Sequence, residues 1–189
     1  MQEDRSMSAQ QVAQQSDQRT INGRVITLVK GDITNLDVDS FVFYATDDLK
    51  LGSGYGGAIS MRGGPGIQQE LDKLAPVEAT QVVVTDAGEL KARYIIHANG
   101  PKFQEEDLEV KLRTTIVNCL KAADDKGIER VAFPPMGAGF YGVPLGVSAR
   151  ISMEAVTEYL KGDTGVREVV FCALDSREYH PFQAQLQAM

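Results

Sequence analysis

Apolar and polar residues alternate along this chain in two patterns, short continuous apolar runs and longer stretches with apolar residues at helical spacing. The short runs, rich in β-branched residues, predict strands at 25–29, 40–45, 81–85, 93–97, 131–133 and 166–174. The turn residues 86–88 separate two of these runs, which predicts a hairpin-like pair. The last run is almost entirely apolar, which is typical of a strand buried on both faces.

Helical spacing of apolar residues predicts three longer helices between the strands. The stretch 65–75 begins at a proline and places its apolar residues on one face. The stretch 108–126 does the same over a greater length and ends before Gly127, and a third helix is predicted at 147–160. Because helices and strands interleave, we expect an α/β fold, a three-layer α/β/α sandwich with a mixed central sheet.

Length and composition predict one domain with a polar N-terminal tail. A chain of 189 residues with 43% hydrophobic content is long enough for one sizeable core and short for two. Residues 1–20 are rich in Gln, Ser and charge and have almost no large apolar side chain. Such a segment buries too little surface to offset the entropy of ordering it. We therefore predict a flexible tail over 1–20 and a single domain over 21–189.

Two glycine-rich loops are the strongest chemical signal in the sequence. Residues 51–58 and 134–142 each follow a predicted strand and precede a helical segment. Glycine lets the backbone approach a ligand closely, and the amides at a helix N-terminus attract anions, so each loop predicts a phosphate-binding site. A tight strand-to-helix connection without a ligand is the alternative for either loop. The Gly31-Asp32 corner follows another strand, and in such sheets all three features converge at the carboxyl ends of the strands.

Charge and residue usage narrow the classes of partner. The net charge of −7 argues against binding to nucleic acid, which needs clustered Lys and Arg. The two cysteines and two histidines show no metal-ligand spacing, and Cys119 and Cys172 lie in apolar stretches typical of buried free thiols. The sequence has no apolar run of membrane-spanning length and no signal-peptide core. We therefore predict a cytoplasmic protein with no metal, no membrane partner and no nucleic-acid partner.

The order and spacing of five sequence blocks resemble those of the macrodomain, the ADP-ribose-binding α/β/α module. These blocks lie at 31–34, 39–42, 52–59, 94–101 and 132–142. The resemblance extends over most of residues 24–182. It implies a macrodomain-like fold, a partner that is ADP-ribose or an ADP-ribosylated protein, and no cofactor.

The resemblance also implies roles for individual residues. Asp32 would accept a hydrogen bond from the adenine amino group, the two loops would hold the ribose and the diphosphate, and Phe140 and Tyr141 would flank the distal ribose. As alternatives, Asp32 is a plain surface residue and the two aromatic side chains fill the core. Leu174 stands where the family often has an aromatic side chain against adenine. The implied ligand-binding residues are Asp32, Ile33, Thr46, Gly52, Ser53, Gly54, Tyr55, Gly56, Gly137, Ala138, Gly139, Phe140, Tyr141 and Leu174.

Departures from the family pattern bear on catalysis. Phe43 and Thr46 replace two asparagines, the second of which contacts the distal ribose in many members. Gly56 replaces the aspartate that orients a water in members that hydrolyse ADP-ribose from proteins. Loss of a group in reach of the reacting proton costs orders of magnitude in rate. The candidate substitutes are Asp47 and Asp48, for which a solvated turn is the favoured interpretation.

These observations favour a binder over an enzyme. We expect a reader of ADP-ribose or a related ADP-containing metabolite, with little or no hydrolytic activity. The alternative is an ADP-ribosyl hydrolase or O-acetyl-ADP-ribose deacetylase acting on mono-ADP-ribosylated substrates. A third interpretation is that Phe43, Thr46 and Leu174 have remodelled or closed the pocket. His97, inside an apolar run, is interpreted as a core residue.

Overall fold

The computed structural model describes residues 16–189, in which a seven-stranded mixed sheet lies between two layers of helices. The strands are β1 (Ser16–Ile21), β2 (Arg24–Lys30), β3 (Ser40–Tyr44), β4 (Val82–Asp86), β5 (Tyr94–Ala98), β6 (Arg130–Phe133) and β7 (Glu168–Ala173). The helices are α1 (Tyr55–Gly63), α2 (Gly66–Leu74), α3 (Leu108–Asp125), α4 (Leu145–Lys161) and α5 (Ser176–Gln187). The predicted three-layer α/β/α sandwich with a mixed sheet is confirmed.

The strand order across the sheet is β1-β2-β7-β6-β3-β5-β4. Strands β2, β7, β6, β3 and β5 are parallel, whereas β1 and β4 run antiparallel to their neighbours at the two edges. The hairpin-like pair predicted from two adjacent apolar runs is the antiparallel pair β4 and β5. Because the inner strands are parallel, their carboxyl ends all lie at the same end of the sheet.

Each face of the sheet is buried against its own helical layer. Helices α3, α4 and α5 pack on one face and α1 and α2 on the other. Successive strand residues point to opposite faces, so Leu28 joins the first core cluster and its neighbour Val29 joins the second. Burial on both faces is the physical reason for the continuous apolar run in β7, where Val169 to Ala173 are all buried.

Strand β1 corrects the predicted flexible tail over part of its length. Residues 16–20 form this strand together with Ile21, while residues 1–15 lie outside the described part of the chain. Asn22 and Gly23, with φ of 52° and 77°, make the two-residue turn into β2. Asp17 anchors the strand because its carboxylate accepts hydrogen bonds from Tyr179 Oη and Gln183 Nε2 at 2.5 and 3.2 Å. Residues 16–20 are polar and show no hydrophobic strand pattern, although the Asn22-Gly23 pair after them is typical of a hairpin turn.

Helix α5 is a second element that the sequence interpretation missed. Asp175 caps its first turn by accepting from the Glu178 amide at 3.0 Å, and Glu178 in turn accepts from the Leu174 amide at 2.8 Å. Pro181 lies inside the helix, and a proline there normally signals a helix end. Burial of Phe182 against the sheet stabilises the helix despite this proline. None of the helices within residues 16–189 is long and apolar enough to cross a membrane.

Candidate functional site

A cleft of about 490 Å³ opens at the carboxyl ends of the parallel strands. Both glycine-rich loops contribute to its wall, one following β3 and the other following β6. The predicted ligand-binding residues on this wall are Ile33, Thr46, Gly52, Ser53, Gly54, Tyr55, Gly137, Ala138, Gly139, Phe140 and Tyr141. The two loops that the sequence places about eighty residues apart therefore face one cavity.

Three predicted residues lie beside the cleft rather than on its wall. Asp32 precedes the wall residues Ile33 and Thr34, and Leu174, which is 54% exposed, follows β7 near the wall residue Cys172. Gly56 is buried in the first turn of α1 with its Cα facing the Leu51 backbone. Gly56 is thus a packing residue of the first loop and presents no atom to the cleft wall.

The cleft wall also includes residues that are not among the implied ligand-binding residues, although Phe43 was expected near the pocket and Leu51, Pro134 and Pro135 belong to the two predicted loops. These additional wall residues are Thr34, Phe41, Val42, Phe43, Tyr44, Lys50, Leu51, Ile59, Pro134, Pro135, Cys172 and Glu178. Most lie on strands or in loops at the carboxyl ends of the parallel strands. Lys50 and Glu178 are the only acidic or basic residues on this wall within the described chain.

Asp32 stands at the start of a short 3-10 turn, Ile33–Asn35, that continues from β2. Its Oδ1 accepts from the Thr34 amide at 3.0 Å and from Thr34 Oγ1 at 2.7 Å. Its Oδ2 accepts from Arg62 Nη1 at 2.6 Å. Partial burial raises the pKa of this carboxyl, but the hydrogen bonds from Arg62 and Thr34 outweigh burial and hold the pKa below its usual range. Asp32 is therefore an ionised, fixed acceptor at one end of the cleft.

The first glycine-rich loop leads directly into α1. Gly52 and Gly54 have φ of 66° and 61°, a conformation that other residues rarely adopt. Within the described chain no side chain caps α1. The Gly57 amide donates to the Ser53 carbonyl at 3.4 Å, whereas the amide of the wall residue Tyr55 makes no hydrogen bond there and is available to an anion. Gln68 of α2 fixes the loop, accepting from the Leu51 amide at 3.0 Å and donating to the Leu49 carbonyl at 3.2 Å. The loop is held in shape without a ligand.

The second glycine-rich loop follows β6 and includes the 3-10 turn Gly139–Tyr141. A Cβ at Gly137 would lie 2.6 Å from Val143 Cγ2, and the residue has φ of 74°, so glycine is required there. Tyr141 is half-buried and packs on Tyr44, with ring centroids 4.9 Å apart. Phe140 is 94% exposed and does not fill the core. Two aromatic side chains therefore stand at this end of the cleft, one anchored and one exposed.

Phe43 lines the cleft and leaves it open, so the closed-pocket interpretation is not supported. Thr46 Oγ1 donates to Asp48 Oδ1 at 2.6 Å, and the Lys50 amide donates to the same oxygen at 3.0 Å. These two hydrogen bonds hold the pKa of Asp48 below its usual range. Asp47 and Asp48 are exposed and neither lies on the cleft wall. The arrangement is that of a solvated turn.

His97 is a buried core residue in β5. Its Nε2 lies 2.9 Å from Thr85 Oγ1, and its ring forms a T-shaped pair with Phe43, with centroids 6.1 Å apart. Burial lowers the pKa of His97 to about 3, so the ring stays neutral in the folded protein. The interpretation of His97 as a core residue agrees with this position.

His97 makes folding stability dependent on pH. Its folded pKa lies below the unfolded value of about 6.5, so only the unfolded chain takes up the proton between those values. We expect the His97 contribution to the unfolding free energy to fall by about 1.4 kcal/mol per pH unit below pH 6. Urea unfolding at pH 7, 6 and 5 of the unaltered chain and of His97→Gln measures it. The expected result is a shallower pH dependence in the variant, and equal slopes would contradict this.

Comparison with known proteins identifies the family. The sequence profile of the Macro domain matches residues 44–152 of this chain. A macro domain-containing protein of Caldanaerobacter subterraneus is 37% identical over 163 residues, which cover 83% of this chain and 93% of that protein. The chain belongs to the macrodomain family.

Solved macrodomain structures share this architecture. A variant of the Oceanobacillus iheyensis macrodomain with ADPR superposes with a TM-score of 0.87 at 26% identity, covering 92% of this chain and 98% of that one. The Trypanosoma brucei macrodomain in complex with ADP-ribose gives a TM-score of 0.79 at 26% identity, covering 84% and 68% of the two chains. The predicted family and the macrodomain fold are both confirmed.

Proposed function

We propose that this macrodomain binds ADP-ribose, free or attached to a protein, as a reader with little or no hydrolytic activity. The observation that carries the proposal is the convergence of two glycine-rich loops on one open cleft with an ionised carboxylate at its end. The Trypanosoma brucei relative, solved in complex with ADP-ribose, supports the choice of ligand. A volume of about 490 Å³ lies within the range of small-molecule sites.

Each part of the cleft has a role in this proposal. The amides of Tyr55 at the start of α1 and of Gly137 and Gly139, which make no hydrogen bond within the described chain, donate to the diphosphate, whose charge the helix N-terminus also favours. Asp32 accepts from the amino group of adenine. Tyr141 and the exposed Phe140 flank the distal ribose. Local amides act at hydrogen-bond range, so the net charge of −7 does not prevent binding of a dianion.

Low hydrolytic activity follows from the groups near the distal end. The carboxylates of Asp47 and Asp48 belong to an exposed turn off the cleft wall, and Gly56 has no side chain. A general base must lie within about 3 Å of the proton it removes, directly or through one water. The proposal therefore assigns no catalytic residue to this chain.

Calorimetric titration with ADP-ribose, ADP, AMP and ribose 5-phosphate tests binding. We expect one ADP-ribose per chain and weaker binding of the shorter ligands, because each lacks some of the groups that the cleft contacts. Absence of selective binding at millimolar ligand would overturn the proposal.

Turnover separates the reader from the hydrolase alternative. Incubation with mono-ADP-ribosylated protein and with O-acetyl-ADP-ribose is expected to leave both substrates intact. Sustained product formation that Asp48→Ala abolishes would instead favour an ADP-ribosyl hydrolase or deacetylase. Asp72→Ala is the matched control, because Asp72 is also an exposed carboxylate near Lys50 and lies off the cleft wall.

A further inference from the structure

Arg62 of α1 closes a ring of hydrogen bonds with Asp32 and Thr34. A single nitrogen, Nη1, donates to Asp32 Oδ2 at 2.6 Å and to Thr34 Oγ1 at 2.8 Å. Thr34 Oγ1 then donates to Asp32 Oδ1 at 2.7 Å. The side chains of Arg62 and Asp32 are 54% and 37% exposed, so this ring lies at the surface end of the cleft. Thr34 itself lines the cleft.

The ring leaves a defined acceptor on Asp32. A carboxylate offers about four acceptor positions, two on each oxygen. Oδ1 receives two hydrogen bonds from Thr34, and Oδ2 receives one from Arg62. One position on Oδ2 therefore remains for a ligand. That position suits a single N–H donor and repels a ligand oxygen.

Within residues 16–189, the other titratable groups that face Asp32 carry no positive charge. Tyr55 at the start of α1 and Cys172 of β7 lie close enough to interact electrostatically with it. Burial raises the pKa of each, so both are neutral near pH 7. Asp175, which caps α5, and Glu178 in the first turn of that helix add negative charge in this region. Arg62 is the cation that balances the Asp32 carboxylate.

We propose that Arg62 is a specificity-determining residue that holds Asp32 as an oriented acceptor and so makes the cleft select a 6-aminopurine over a 6-oxopurine. This inference rests on the proposed function, because it concerns the base of the same ligand. When the base covers Asp32, water leaves the carboxylate, and the Arg62 contact compensates for that lost hydration. Without Arg62 the carboxylate is less fixed and more easily protonated.

Protonation of Asp32 links selectivity to pH. An ionised Asp32 accepts from the amino group of adenine, whereas a protonated one donates to the oxygen of hypoxanthine. Arg62 lowers the pKa of Asp32. Removal of Arg62 raises that pKa, so the pH at which adenine selectivity is lost moves upward.

The test compares dissociation constants for ADP-ribose and for its hypoxanthine analogue between pH 4 and pH 8. The unaltered chain, Arg62→Gln, Arg62→Lys and the control Met61→Gln are measured, with thermal unfolding to check folding. Met61 is a suitable control because it adjoins Arg62 on α1 and is 88% exposed. Protonation of the ligands at low pH affects all four proteins equally, so it does not contribute to the differences between them.

We expect Arg62→Gln to weaken ADP-ribose binding at pH 7.5 by about twofold to fivefold, the range of partly exposed ion pairs, and to move the acid midpoint upward. Arg62→Lys should restore the midpoint because it restores the charge. Met61→Gln should match the unaltered chain. Unchanged selectivity and midpoint in a folded Arg62→Gln would overturn the inference alone. Failure of the unaltered chain to bind ADP-ribose would overturn the proposed function and this inference together.

Discussion

Replacement of Gly56 by alanine is expected to lower the free energy of unfolding by about 3 kcal/mol or more. A Cβ at this position would lie 1.6 Å from the Leu51 carbonyl oxygen and 2.4 Å from its carbon, so the backbone of the first loop would have to move. The obstacle is main chain, which cannot rotate away as a flexible side chain does. Urea unfolding of the variant against the unaltered chain measures the loss.

Gly57→Ala is the matched control for this prediction. A Cβ at Gly57 would lie 3.5 Å from the Gly52 carbonyl oxygen, an ordinary contact, and the residue is in the same helix. Alanine in a helix is favoured over glycine by about 1 kcal/mol, so we expect this variant to be as stable as the unaltered chain or more so. Equal destabilisation of the two variants would show that the Leu51 contact is not the cause.

The same contact bears on the catalytic pattern of the family. The resemblance associates an aspartate at the position of Gly56 with hydrolysis of ADP-ribose. Here the position has no room for any side chain while Leu51 keeps its place. Gly56→Asp is therefore expected to unfold or rearrange the first loop rather than to create a hydrolase.

Replacement of Asp32 by alanine is expected to weaken ADP-ribose binding by about 1–3 kcal/mol, roughly fivefold to 150-fold. The variant removes the acceptor for the adenine amino group and leaves Arg62 and Thr34 without their shared partner. Calorimetry with ADP-ribose measures the loss, and ribose 5-phosphate, which has no base, is the matched ligand. Equal weakening of both ligands would show that Asp32 supports the loops rather than the base.

Most of the fold could be predicted from the sequence because burial leaves a direct pattern. Strand β7 is apolar from Val169 to Ala173 since helices cover both of its faces, and the face of α3 formed by Leu112, Ile116 and Leu120 is fully buried. Strand β1 was not predicted because it is an edge strand with exposed polar residues at 18–20. Its signal was the Asn22-Gly23 turn rather than hydrophobicity.

The site could be predicted only in part. The two glycine-rich loops that form much of the cleft wall could be predicted, because glycine residues between a strand and a helix can be recognised in the sequence. The Arg62–Asp32 ion pair joins residues thirty positions apart and depends on how α1 packs beside the turn after β2. No local pattern encodes such a contact, and the same holds for Gly56 against Leu51.

The direction of β1 determines how the protein should be attached in binding experiments. Ser16, the first residue of β1, pairs with Val29 near the carboxyl end of β2. Strand β1 therefore begins at the end of the sheet where the cleft opens. Helix α5 begins at the same end of the sheet, after Leu174, and extends away from it for 12 residues, roughly 18 Å. A biosensor surface or purification tag joined through Met189 therefore leaves the cleft facing solution, whereas Ser16 lies at the end of the sheet where the cleft opens.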